Sequence, residues 1–168
     1  RMLQTQPERF DRVVLMGSGG APMVPTPDLV AMVRYYDDPS PDAMLDLLQR
    51  FMVDTGLYGD RLGEIVADRA AAAARDDVRR SHLRTFSPEG APLVFTAEEL
   101  AAIPHPVLVV HGREDRIIPK EASYHLAAHL PDATLTVLPH AGHWVQIEQV
   151  DRFRALAELF LTSSEVAA

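Results

Sequence analysis

Val107-Leu-Val-Val-His-Gly-Arg-Glu-Asp115 is an apolar run that stops at a glycine and delivers a carboxylate. Ile103-Pro-His-Pro106 forces an extended entry into it, so Val107 to His111 reads as a buried strand. A second apolar run, Thr134 to Leu138, reads as the next strand, and Ala141-Gly-His143-Trp144 follows it. Between the two, Lys120 to His129 reads as a helix and Pro131-Asp132 turns the chain. Strands alternating with helices at this spacing imply a parallel sheet with right-handed crossovers.

In open parallel sheets, ligands sit beyond the carboxyl ends of the strands. Asp115 lies just past the first strand and His143 just past the second, 28 residues apart. That separation accommodates one helix and one strand, so both side chains are expected at one sheet edge. An Asp that accepts from one imidazole nitrogen leaves the other nitrogen as a base, the acid–base half of a Ser-His-Asp system. Each residue alone has a plainer reading. Asp115 could cap a helix or pair with Arg113 or Arg116, Glu114 competes for the acid role, and His143 could be a core histidine bonded to backbone.

The third member of such a system sits in a Gly-x-Ser-x-Gly turn, and none of the 168 residues form one. Ser18 lies at a strand end among glycines. Its context is Gly17-Ser-Gly-Gly20, with no helix following to make the sharp elbow, so it reads as a turn at a pocket rim. His140 and His143 are three apart, but no further ligand stands at metal spacing beside them, and no metal site is expected. His111 ends a strand and is expected to be buried. His125 and His129, four apart on one helix, are expected on a surface face.

Working outward, residues Arg1 to Phe10 resemble the tail of a helix. Val13 to Met16 reads as a short buried strand ending in the glycine loop. Pro22, Pro25 and Pro27 exclude regular structure until about Asp28, a candidate N-cap for a helix to Tyr36. Ser40 as N-cap with Pro41 at the first helical position opens another helix, whose apolar face is Met44, Leu45, Leu47, Leu48, Phe51 and Met52. A third helix is expected from Gly59 to Arg80 through the alanine run Ala70 to Ala74. A short piece, His82 to Phe86, leads into a loop at Ser87 to Pro92. Thr96 and Glu99 form a capping box, and Val150 to Leu161 is the last helix, with Phe153, Leu156, Ala157 and Phe160 on one stripe.

Composition bounds the rest. The chain is 47% hydrophobic and 24% charged with a net charge of −8 and scattered basic residues, which argues against a nucleic-acid surface or a polybasic membrane patch. It has no cysteine, and no apolar run approaches the roughly 20 residues of a membrane span. Cytoplasm is the expected compartment.

At these residues the chain resembles the α/β-hydrolase superfamily, and within it the meta-cleavage product hydrolases of the 2-hydroxymuconic semialdehyde type. The matching stretches are Pro7-Glu-Arg-Phe-Asp-Arg-Val-Val-Leu-Met-Gly17, Leu108 to Asp115 with Ile118-Pro119, and Gly142-His-Trp-Val-Gln-Ile-Glu148. The resemblance implies an α/β fold: its C-terminal part, about three parallel strands with flanking helices, plus a helical lid. Residues 1–27 would be core strand and loop, 28–95 the lid, and 96–168 the core with the acid and base loops. It implies Asp115 as triad acid, His143 as base, Trp144 lining the pocket beside the base, and Arg69 holding a substrate carboxylate, with Arg61 and Arg75 as alternatives. An Arg suits that task because its planar fork binds a carboxylate bidentately.

The reaction implied is cofactor-free hydrolysis of a C–C bond in a meta-ring-fission product, a 2-hydroxy-6-oxo-dienoate. In this family the earlier strands, the oxyanion loop and the nucleophile elbow would precede Arg1, so this chain alone is expected to be inactive. It is expected to form a homodimer or to associate with a missing N-terminal half. A carboxylesterase of the same fold and a non-catalytic binding or assembly module are the alternative readings.

Overall fold

The computed structural model describes residues 2–87 and 94–163. Three strands, β1 (Val13–Met16), β2 (Val107–Gly112) and β3 (Ala133–Leu138), form one sheet in the order β1-β2-β3, and both pairings are parallel. Val13 stands opposite Val107, and Val107 opposite Ala133, so the three strands end at the same edge. The helices are α1 (Met2–Thr5), α2 (Pro27–Val33), α3 (Pro41–Phe51), α4 (Leu62–Ala73), α5 (Asp76–Thr85), α6 (Ala97–Ala101), α7 (Lys120–His129), α8 (Val145–Glu148) and α9 (Val150–Thr162).

Successive strand residues point to opposite faces, and each face has its own cover. Val107 and Val109 pack with Leu100, Ile103, Leu126 and Leu130 of the α6–α7 side. Leu108 and Val110 pack with Ala141, Val145, Phe153, Leu156 and Phe160 of the α8–α9 side. All six β2 residues are therefore buried, as a central parallel strand requires. Phe153, Leu156 and Phe160 of the expected stripe do face this core.

The segment from α2 to α5 is helical throughout and has a core of its own, Tyr35, Met44, Leu47, Leu48 and Val66. Ser40 caps α3 by accepting from the Ala43 amide at 3.1 Å, with Pro41 first in the helix. Several expectations change here, among them the end of α2, which stops at Val33 rather than Tyr36. The cap of α2 is Thr26, which accepts from the Leu29 amide at 3.0 Å, and Pro27 opens the helix, a place where its missing N–H costs nothing. Asp28 is instead a buried ion-pair partner. The helix expected over Gly59 to Arg80 is broken: a 3-10 stretch covers Thr55–Arg61, α4 ends at Ala73, and Arg75 turns extended at ψ 136° before α5. Tyr36 Oη donates to the Ala73 carbonyl at 2.9 Å, satisfying one group that the break exposes. The piece from His82 to Phe86 belongs to α5 and its end. His82 Nε2 donates to the Val33 carbonyl at 2.9 Å, pinning α5 to α2. Most of the loop expected at Ser87 to Pro92 lies outside the described residues.

The capping box of α6 is present in both directions, Glu99 amide to Thr96 Oγ1 at 3.2 Å and Thr96 amide to Glu99 Oε2 at 2.9 Å. His125 and His129 are half-buried rather than a free surface face. Their rings lie 4.2 Å apart, and His129 Nδ1 donates to the His125 carbonyl. Among the described residues no helix is long and apolar enough to cross a membrane, and no group of three or more His, Asp or Glu could hold a metal ion.

Candidate active site

Parallel strands put three loops together at the carboxyl edge: the glycine loop after β1, the acid loop after β2 and the base loop after β3. His143 Nδ1 donates to Asp115 Oδ2 at 2.9 Å. The Asp115 side chain is fully buried, and that of His143 is 19% exposed. Asp115 Oδ1 accepts from the Ile117 and Ile118 amides at 2.8 and 3.0 Å. With one oxygen held by backbone, the other is aimed at the imidazole. Nδ1 must carry a proton to donate, so Nε2 is the ring nitrogen that this bond leaves unused, as a triad base would require. Glu114 is engaged elsewhere. Its Oε1 meets Arg113 Nε at 2.9 Å and its Oε2 accepts from the Ala141 amide at 3.1 Å.

His111 is buried and closes the acid loop from below. Its Nε2 donates to the Ile118 carbonyl at 3.0 Å and stands 3.4 Å from Asp115 Oδ2, while Nδ1 accepts from the Ser123 hydroxyl at 2.7 Å. Burial pushes its pKa below the ordinary histidine value, against the pull of Asp115. The ring is therefore neutral, and it presents an N–H edge rather than a charge to the carboxylate.

The glycine loop packs closely against His143. Gly17 has φ +50°, and a Cβ there would lie 2.9 Å from His143 Nδ1. A side chain at 17 would push the imidazole off Asp115 and also strain the backbone. Ser18 Oγ donates to the Met16 carbonyl at 3.4 Å.

Two ties join these loops to the helical segment. Asp28 of α2 pairs with Arg50 of α3 through Oδ1 and with Arg116 of the acid loop through Oδ2, the latter at 2.7 Å, and Thr26 Oγ1 donates to the Ile117 carbonyl at 2.9 Å. At the other end of α2–α3, the His143 amide donates to the Phe51 carbonyl at 2.7 Å. Phe51 stacks on Trp144 at 4.9 Å and lies 5.1 Å from the His143 ring. The Arg69 guanidinium sits 4.3 Å over the Trp144 ring, a cation–π contact. Among the described residues Arg69 pairs with no carboxylate, whereas Arg61 pairs with Glu64 at 3.7 Å and Arg75 with Asp77 at 2.8 Å. The structure thus brings Arg69, Trp144 and His143 into one chain of contacts.

Beside His143 opens a cavity of about 870 Å³ between α2, the loop after β2 and the glycine loop. Its walls are apolar, with Met23, Leu29, Met32, Phe86, Phe95 and Ile118 among them, and His143 and Gly17 stand at its margin. Trp144 and Arg69 are outside that lining.

A buried, backbone-oriented Asp bonded to a His at the carboxyl edge of a parallel sheet, roofed by helices, is the arrangement of an α/β hydrolase. The alpha/beta hydrolase fold family matches residues 1–150, and the chain belongs to that family. It is similar to the 2-hydroxymuconate semialdehyde hydrolase of Pseudomonas putida, 39% identical over 163 residues, which are 95% of this chain and 56% of the relative. The 2-hydroxy-6-oxo-6-phenylhexa-2,4-dienoate hydrolase of Burkholderia cepacia is 35% identical over 94% of this chain and 56% of its own length. Among solved structures, a serine hydrolase from the polyaromatic-hydrocarbon-degrading bacterium Cycloclasticus zankles superposes with a TM-score of 0.87 at 39% identity, covering 95% of this chain and 58% of that one. The chain spans somewhat over half the length of the relatives it matches.

Proposed function

We propose that Asp115 and His143 are the acid and base of a serine hydrolase that cleaves a C–C bond in a meta-ring-fission product of aromatic degradation, in the cytoplasm. The observation that carries this reading is the 2.9 Å Nδ1–Oδ2 bond at the margin of a large apolar cavity. The 2-hydroxy-6-oxo-dienoate is first converted from dienol to keto form. An activated serine, or water, then adds to the distal carbonyl, the C–C bond breaks with the carbon fragment leaving as a stabilised enolate, and on the serine route water hydrolyses the acyl-serine, releasing the carboxylic acid and restoring the hydroxyl. His143 takes the proton of the nucleophile and returns one to the leaving carbon, and Asp115 keeps the imidazole in the required tautomer.

Residues 28–95 act as a lid. The apolar cavity takes the distal substituent, and the Arg69 fork takes the carboxylate beside Trp144. No Gly-x-Ser-x-Gly elbow stands within the 168 residues, so the nucleophile is assigned to the part of the relatives' length that these residues do not span.

A chimera tests this: residues 2–163 replace the matching stretch of the Pseudomonas putida relative. The expected result is cleavage of 2-hydroxy-6-oxo-dienoates, faster with an alkyl or aryl distal group than with a distal carboxylate. His143→Ala is expected to cost at least about 10³-fold in kcat. A folded chimera that cleaves simple esters alone, or that keeps its rate in His143→Ala, would sink the reading.

A further inference from the structure

We propose that Glu148 is a positioning residue for the base, holding the His143 loop in the register that Asp115 needs; this rests on the reading of His143 as the base. The carboxylate of Glu148 accepts three backbone N–H bonds. Oε2 takes the Gly142 amide at 2.6 Å. Oε1 takes the Val53 amide at 2.7 Å and the Asp54 amide at 3.2 Å. Bonds to an ionised acceptor are short and roughly twice as strong as neutral ones.

The placement gives these bonds their purpose. Gly142 directly precedes His143, and Glu148 ends the short helix that begins beside Trp144. The Glu148–Gly142 bond therefore closes a ring of backbone around the base. The same carboxylate then ties that ring to the exit of α3. From the other side, the His143 amide donates to Phe51. The 142–143 backbone is thus gripped twice by the helical segment. There is no slack in the grip: a Cβ on Gly142 would lie 2.6 Å from the Phe51 carbonyl oxygen and 3.3 Å from Met52 Cα. A shift of the loop acts directly on the Nδ1–Oδ2 bond, because Asp115 is itself held by two amides and does not follow. Glu148 thereby couples the position of the base to the α3 end of the helical segment.

The test uses the 168-residue chain labelled with ¹⁵N and reads imidazole tautomers and the downfield Nδ1–H proton by NMR. His143→Gln and Asp115→Asn assign the resonance. In the unsubstituted chain, His143 is expected to show a protected Nδ1–H and a lone-pair Nε2. In Glu148→Ala, that resonance is expected to be lost and the His143 tautomer pattern to average, while far-UV circular dichroism and the His111 resonances stay unchanged. Glu148→Gln keeps the shape and one acceptor oxygen. It is expected to broaden the resonance without abolishing it, and it decides the matter if the alanine variant does not fold. An unmoved His143 resonance in the folded variants, with only a lowered Tm, overturns the positioning role. No Nδ1–H resonance in the unsubstituted chain overturns the Asp115–His143 pairing itself, and this proposal with it.

Discussion

At the scale of single residues, the buried His111 beside Asp115 ties the fold to pH. His111 is buried with its pKa depressed, chiefly by burial, while Asp115 and Glu121 oppose the shift and His143 adds to it. A histidine whose folded pKa lies below its unfolded value, about 6.5, binds fewer protons in the folded state. It therefore destabilises the fold as pH drops below that value, down to its folded pKa. The slope contributed by one such group is at most about 1.4 kcal/mol per pH unit. Urea unfolding at steps between pH 7.5 and pH 5 should show stability falling on the acid side. His111→Gln is expected to be less stable at pH 7.5 by about 1–3 kcal/mol, since the Ser123 and Ile118 groups lose well-formed bonds. It is also expected to show a flatter acid limb. Parallel limbs for the two proteins would mean that His111 carries no proton-linked stability.

At the scale of elements, the helix that opens the helical segment does two jobs through its cap. Ser40 makes a cap bond alone, and losing it should cost about 1 kcal/mol. Thr26 accepts from Leu29 and also donates to the Ile117 carbonyl in the acid loop. Thr26→Ala is therefore expected to cost more than Ser40→Ala in denaturant unfolding, with Thr26→Ser restoring most of the difference. Equal costs would show that the tie to the acid loop is worth nothing.

What could be read from the sequence, and what could not, follows the same division. The three strands, α7, the α6 capping box and the Asp115–His143 pair were legible because each is written within a few residues: an apolar run, its stop, and the side chain just past it. The long-range ties were not. An acidic residue at a helix start reads as a cap, so Asp28 gave no sign of Arg50 or Arg116. Glu148 lay inside a recognisable motif, yet its partners at 53 and 54 are more than ninety residues away. The break at Arg75 was hidden for another reason. Alanine propensity continues a helix on paper, and the break is satisfied by the Tyr36 hydroxyl, a contact between residues 37 apart.

At the scale of the whole molecule, the sheet is covered on both faces but open at its β1 edge. The four β1 residues are only half-buried, whereas all six of β2 are buried. Parallel pairing to β2 uses the Val13 and Gly17 amides through Pro106 and Val110, and the alternate β1 amides face away from β2. An apolar strand presenting unpaired amides and carbonyls is a template for another strand. On α9, Val150, Leu159 and Leu161 are more than half exposed, which adds apolar surface. The expected outcome is that the purified chain does not run as an 18.6 kDa monomer. Light scattering coupled to size exclusion should give a dimer or larger species. The melting temperature should rise with protein concentration, because association stabilises only the folded state. A monodisperse monomer with a concentration-independent Tm would defeat this. It would mean that the free strand tolerates water, its short length and right-handed twist being enough to keep a second chain from pairing.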